Sequence, residues 1–415
     1  MKNNNKYILR SKNVKKKIYI KNKLNLFSKI IPFSLKKKPS IVNSSPFGSN
    51  ISNISLYDLF FNKILNNKIN KLENIIDNPI KKFKFDINKK YTEINTEINT
   101  LEDLINLGKS YDKNLDYPID MIKLNNLVKP LTELNNVIGM SSVKKNIINQ
   151  IIYNLQDLDA NRNMSHTVIT GPPGVGKTML GLILAKIYYN MGILKKQKSI
   201  NPITGEKEDF KFNIIKRSDL IGEYVGHTAI KTQKVIDNSS GGVLFIDEAY
   251  SLGNSEKKDI FSKECIDTIN QNLTEKKNEL ICIIAGYKDE LEKCFFSYNE
   301  GLRRRFVFKY DIEKYNSKEL MLIFIKKIND IEWICDIEKN DLNKFFSKNK
   351  DCFKYYGGDI ELLIISCKIS HSRRIFGKHP KLRKKLILED IKNGFNLFFE
   401  NKNKKKTEII NSMFL

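Results

Sequence analysis

The chain has 415 residues, 41% of them hydrophobic, with a formal net charge of +25. That length allows two domains, or three, around packed cores, and no apolar run is long enough to span a bilayer. The six cysteines are scattered without a CxxC, and none of the four histidines pairs with them, which argues against a zinc site or a disulfide framework. A reducing compartment such as the cytoplasm fits that cysteine usage.

The first 120 residues are low in complexity. No acidic residue precedes Asp58, while Lys15, Lys16, Lys17, Lys36, Lys37 and Lys38 form short runs. This charge has two readings: a solvated lysine-rich surface, or a grip on nucleic acid or another acidic polymer without sequence preference. Organelle targeting is a third reading of the basic start, although its Lys and Asn usage departs from the Arg and Ser of transit peptides. Residues 40–55 read as linker, and the spacing over 56–76 predicts a helix. We expect 1–120 to be a partly ordered extension with no enzyme of its own.

Residues 121–310 alternate between helical and strand patterns, the mark of an α/β domain with a parallel sheet. Helices are expected over 143–158, 179–191 and 260–273. Strands are expected over 166–170, 212–216, 243–246 and 280–285. The stretch 195–209, with Pro202 and Gly205, reads as an exposed loop. Residues 311–415 carry two helical stripes, Leu320, Ile323, Phe324 and Ile328, then Ile360, Leu363, Ile364 and Cys367. They predict a small helical domain behind the α/β domain.

Within this frame, Gly171-Pro172-Pro173-Gly174-Val175-Gly176-Lys177-Thr178 matches the phosphate-binding loop GxxxxGK[ST] in full, between a strand pattern and a helix pattern. Its glycines let backbone N–H groups turn toward phosphate oxygens, and the following helix aims its positive end at the same anion. Lys177 is expected on the β- and γ-phosphates of ATP, and the Thr178 hydroxyl on Mg²⁺. Downstream, the apolar strand Val243-Leu244-Phe245-Ile246 ends in Asp247-Glu248. Asp247 would support the metal and Glu248 would take the proton of an attacking water.

From Val137 to about Phe308 the sequence resembles the CbxX/CfqX family of AAA+ proteins, which includes red-type rubisco activases and is similar to stage V sporulation protein K. The resemblance rests on the phosphate loop, on Gly222-Glu223-Tyr224-Val225-Gly226-His227-Thr228, on 241–250, on Ala285-Gly286-Tyr287-Lys288-Asp289 and on 299–306. It implies an AAA+ P-loop core with a helical lid, a ring of identical subunits (usually a hexamer), and ATP-driven, chaperone-like remodelling of a protein client. By the same resemblance, Ile138 and Gly139 lie near the adenine, Tyr224 and Val225 form a pore loop, and Arg305 is an arginine finger, with Arg304 the nearest alternative. Two positions depart from the family. Tyr287 stands near the place where many AAA+ proteins put Asn or Thr, so no first sensor is assigned. Gly357-Gly358-Asp359-Ile360-Glu361 holds no arginine in register with the second, and Arg373 and Arg374 lie about three helical turns too far along to substitute.

These residues are compatible with three functions. A remodelling ATPase is favoured by the Tyr224 loop, and a nucleic-acid motor or loader by the net charge. The full set of Lys177, Asp247, Glu248 and Arg305 argues against a scaffold that binds ATP and hardly turns it over. The identity of a client is not written in these residues.

Overall fold

The computed structural model describes residues 90–156, 165–256 and 258–413, with side chains as far as residue 402. The helix expected over 56–76 and the lysine runs lie outside these residues. Folded structure begins ahead of residue 121, within the expected extension. Lys90–Tyr91 pairs in parallel with Leu115–Asp116, and α1 (Leu101–Lys109) lies between them in sequence. A capping box starts α1: the Thr100 hydroxyl accepts from the Asp103 N–H, and the Asp103 carboxylate accepts from the Thr100 N–H. The helix buries Leu101, Leu104 and Ile105 in the same core as Leu124, Leu127 and Leu131 of α2 (Met121–Asn135). Helix α3 (Ser141–Leu155) completes this layer.

Five parallel strands follow, interleaved with helices. Strand β1 (His166–Thr170) runs into α4 (Lys177–Asn190), and β2 (Phe212–Ile215) into α5 (Arg217–Leu220) and α6 (His227–Asn238). Then come β3 (Val243–Ile246), α7 (Ile260–Glu275), β4 (Ile281–Gly286), α8 (Lys288–Cys294), α9 (Glu300–Arg305) and β5 (Phe306–Asp311). The spatial order is β2-β3-β4-β1-β5. Side chains alternate between two cores. Val243, Phe245, Ile281 and Ile283 pack on one face, and Leu244, Ile246, Cys282 and Ile284 on the other. Burial on both faces is why these strands read as unbroken apolar runs. The loop expected over 195–209 carries a small antiparallel pair, Ser199–Ile200 with Lys207–Glu208.

The remaining chain is mainly helical, with α10 (Ser317–Asp330), α11 (Lys339–Lys348), α12 (Gly357–Ile375) and α13 (Leu388–Met413), plus a short parallel pair of Ile334–Cys335 with Lys385–Leu386. Leu320, Phe324 and Ile328, and Ile360, Leu363, Ile364 and Cys367, are buried as their spacing predicts. Ile323 is half-buried. The core of these helices is continuous with that on one face of the sheet.

One buried histidine ties the sheet to a flanking helix. His166 Nδ1 accepts the Cys282 N–H at 3.0 Å, so Nε2 carries the proton and donates to the Leu273 carbonyl, also at 3.0 Å. A second proton would have to sit between Nδ1 and an N–H already pointing at it. Burial therefore pushes the His166 pKa down to about 4, outweighing the upward pull of the Leu273 carbonyl, and nearby Arg305 adds to the lowering. Between about pH 6.5 and pH 4 the unfolded chain binds a proton here that the folded chain refuses. Stability should fall by about 3 kcal/mol as pH drops through that window, and stay whole above it. Denaturant unfolding at neutral and acid pH checks this. His166→Leu should be less stable at neutral pH yet lose distinctly less on acidification than wild type.

Candidate functional site

The loop 171–176 leaves the C-terminal end of β1 and feeds α4, and Asp247-Glu248 leaves the same end of β3. The strand order places β4 between them. These ends open into a cavity of about 600 Å³. Pro173, Gly174, Val175, Gly176, Lys177 and Thr178 line it, with Asp247 and Glu248 across from them. Val137 and Ile138 give it an apolar wall. Gly139 and the pair Gly171-Pro172 do not line it. Gly139 instead forms a left-handed turn against Tyr315 and Glu319.

Lys177 is only 7% exposed. Its Nζ donates to the Gly171 and Pro172 carbonyls, 3.1 Å each, and lies 5.0 Å from the centre of the Tyr287 ring. Burial pushes its pKa down, while the charges of Glu248 and Asp247 hold it up. Burial also raises the Asp247 carboxyl, and the Glu248 charge adds to this. Asp247 Oδ1 accepts the Glu248 N–H at 3.1 Å. Glu248 adopts a left-handed backbone, φ 52°, and its Oε2 is buried with no hydrogen-bond partner among the described residues. Glutamate rarely takes that conformation, and a buried unpartnered carboxylate oxygen is costly. Together they describe a carboxylate that its surroundings hold in a costly placement. A cationic loop with free backbone donors, a hydroxyl at Thr178 and two carboxylates is a donor set suited to a nucleoside phosphate and a divalent cation.

The helical part closes the cavity from above. The Gly357 N–H donates to the Gly174 carbonyl at 3.0 Å, and the Tyr315 hydroxyl donates to the Val175 carbonyl at 2.9 Å. Burial, then the Glu319 charge, pushes the Tyr315 hydroxyl up to about 12, so it stays a donor at neutral pH. Glu361 lines the cavity and ion-pairs with Lys327 of α10, which also lines it. Arg374 is committed elsewhere, to the buried Asp390 at 2.8 Å.

Two expected groups sit apart from this cavity. Arg305 ends α9, and Phe306 pairs with His166 at the start of β1, whereas the phosphate loop follows Thr170 at its far end. Arg305 Nε donates to the Thr274 hydroxyl at 2.7 Å. Arg303 pairs with Glu292, and Arg304 is exposed without hydrogen bond or ion pair among the described residues. Tyr224 and Val225 stand on an exposed turn before α6, 66% and 73% accessible. The Tyr224 ring meets His227 edge-on at 5.5 Å. The sequence alone gives no role to Tyr250, Tyr315 or Lys327. Tyr250 lies two residues past Glu248, inside the family-like segment 241–250. Tyr315 and Lys327 reach the site through tertiary packing alone.

The family described as "ATPase family associated with various cellular activities (AAA)" matches residues 167–314. The putative cfxQ-like protein R730 of Acanthamoeba polyphaga mimivirus is 44% identical over 77% of this chain and 77% of its own length. Stage V sporulation protein K of Bacillus subtilis is 37% identical over 48% of this chain and 60% of its own. The protein CfxQ homolog of Galdieria sulphuraria is 33% identical over 59% and 73%. The chain belongs to the CbxX/CfqX-type family of AAA+ ATPases.

Gly174 carries the contact between loop and lid. Its φ is +72°, and an added Cβ would lie 2.0 Å from the Tyr355 carbonyl oxygen. Gly174→Ala should therefore push the 355–358 segment off the loop and cost roughly 1–3 kcal/mol in strain. Hydrogen exchange should show faster exchange at the Gly357 amide, with the amides of β4 little changed.

Proposed function

We propose that the cavity binds ATP with Mg²⁺ and hydrolyses it, and that the chain does so in a ring, hexameric in the manner implied by its resemblance, that reshapes or threads an unidentified protein client. The observation that carries this reading is the meeting of Lys177 with Asp247 and Glu248 in one cavity, at the end of a fully matched phosphate loop. The backbone N–H groups of 174–178 cradle the phosphates, and Lys177 leaves the Gly171 and Pro172 carbonyls for the β- and γ-oxygens. Thr178 and Asp247 hold the divalent cation, which supplies charge neutralisation when bound. Glu248 accepts the proton of the attacking water through its free oxygen. Ile138 with Val137 offers the apolar surface for the base.

Arg305 lies at the opposite end of the strands, which supports action on a neighbouring subunit's ATP rather than on its own. An exposed aromatic and an aliphatic side chain at Tyr224 and Val225, on a turn flanked by glycines, support a grip on an extended chain by area.

Glu248→Gln should bind ATP and stop turning it over, because an amide keeps the shape but accepts no proton. Phosphate release measured beside ATP binding checks this, and turnover near that of wild type would remove Glu248 from the role. Arg305→Ala should keep ATP binding while turnover falls by about 10³ to 10⁵, the range of arginine fingers in phosphoryl transfer. Mixed with Lys177→Ala subunits in rings shown to co-assemble, it should regain part of the activity, since one variant supplies the pocket and the other the finger. No recovery argues against action between subunits. Loss in Arg304→Ala with an active Arg305→Ala moves the finger one residue earlier.

A further inference from the structure

Lys177 and the pair Asp247-Glu248 are opposite charges facing one cavity, close enough that the carboxylates hold the Lys177 pKa up against burial. Yet Lys177 forms no ion pair among the described residues. Its ammonium rests on two backbone carbonyls and the face of Tyr287.

Topology explains what stands between them. The sheet order β3-β4-β1 puts the end of β4 between the carboxylates and the phosphate loop. With strands about 4.8 Å apart, the two charged strands lie about 10 Å apart and the middle strand end fills the gap. Tyr287 is the first residue past that end. Its ring stacks on Tyr250 at 5.3 Å and 24°. Burial, then interaction with the Glu248 carboxylate, pushes the Tyr250 hydroxyl up, which keeps it protonated beside that carboxylate. The neighbours thus run Lys177, Tyr287, Tyr250, Glu248. Gly286 makes room for this stack, because a Cβ there would lie 2.9 Å from Tyr250 Cδ1. Asp247 is engaged as well, its Oδ1 held by the Glu248 N–H.

We infer that Tyr287 and Tyr250 are a spacer: positioning residues that keep the Lys177 ammonium from collapsing onto Glu248 before nucleotide arrives. The inference rests on the ATP reading above and adds two residues to it. The Tyr287 ring face gives the ammonium a partner that phosphate oxygens can displace, whereas a carboxylate would hold it with a full charge. Tyr250 stays a protonated neighbour of the Glu248 carboxylate. In this role Tyr287 works through its ring, and its hydroxyl is dispensable. A polar sensor at the same place would need the hydroxyl.

Affinity for a non-hydrolysable ATP analogue with Mg²⁺ tests this without requiring turnover. Tyr287→Leu should bind about 10-fold more weakly, because the lysine captured by Glu248 must first leave a charged partner before phosphate can take it. Tyr287→Phe should recover most of that loss. In a Glu248→Gln background, where no carboxylate can capture the lysine, Tyr287→Leu should cost less than about 2-fold, a coupling that a merely structural role would not show. Three results overturn the spacer: unchanged affinity in Tyr287→Leu, Tyr287→Phe as weak as Tyr287→Leu, or the full loss persisting in the Glu248→Gln background. A Lys177→Ala control separates the two levels. If wild type binds no better than this control, the ATP reading fails and the spacer falls with it. If wild type binds well and the Tyr287 pattern is absent, the spacer alone fails.

Discussion

The site depends on holding one ammonium and two carboxylates together without letting them neutralise each other. At an effective dielectric near 20, opposite charges 4 Å apart attract by about 4 kcal/mol, more than most single contacts in a fold can offset. The chain resists by giving each group another partner. Lys177 sits on the Gly171 and Pro172 carbonyls, and Asp247 accepts a backbone N–H. Glu248 is turned by a left-handed backbone that costs on the order of 1–3 kcal/mol and is kept by its surroundings. These placements follow from a parallel sheet whose strands all end on one side, with β4 between β1 and β3.

The lid extends the same constraint. It meets the phosphate loop through backbone carbonyls, Gly174 to Gly357 and Val175 to the Tyr315 hydroxyl. A carbonyl that accepts from the lid fixes the direction of its peptide unit, and the N–H groups of a phosphate loop act through that direction. Movement of the loop and movement of α10 and α12 are therefore joined mechanically, without a charged side chain passing between them. This gives a physical setting for Glu361. With Lys327 neutralising it, α12 enters the cavity without adding a net negative charge to a site fitted for phosphates.

The phosphate loop, the carboxylate strand and the two-sided apolar strands were legible because each is a local string whose residue types imply its backbone. The helical stripes of α10 and α12 were legible for the same reason. Helix α1 was not read, although its Thr100 to Asp103 capping box is a local signal; the surrounding Asn, Ile and Glu repeat hid its period. Strand β5 was not read either, because Arg303 to Arg305 drew attention to charge and away from the alternation of Phe306, Phe308 and Tyr310. Within the site, Tyr315, Lys327 and the tyrosine stack were hidden for a stronger reason. Their roles come from contacts between segments far apart in sequence, and no spacing rule connects Tyr287 to Lys177.

The same sheet geometry limits what one subunit can do alone. Arg305 stands where β5 begins beside His166, and the phosphate loop starts where β1 ends at Thr170. Strand β1 has 5 residues, so the sheet alone puts about 13 Å between those levels. Arg305 is further held back by Thr274 at 2.7 Å and lies close enough to His166 to lower its pKa. A guanidinium fixed at one end of a parallel sheet cannot serve an anion bound at the other end of the same sheet. It can serve one presented by another copy docked against that end. If Arg305 acts in hydrolysis, the strand direction that builds the pocket is also what makes the pocket incomplete in a lone subunit. Assembly and turnover would then be coupled by the fold itself, with no separate regulatory element needed.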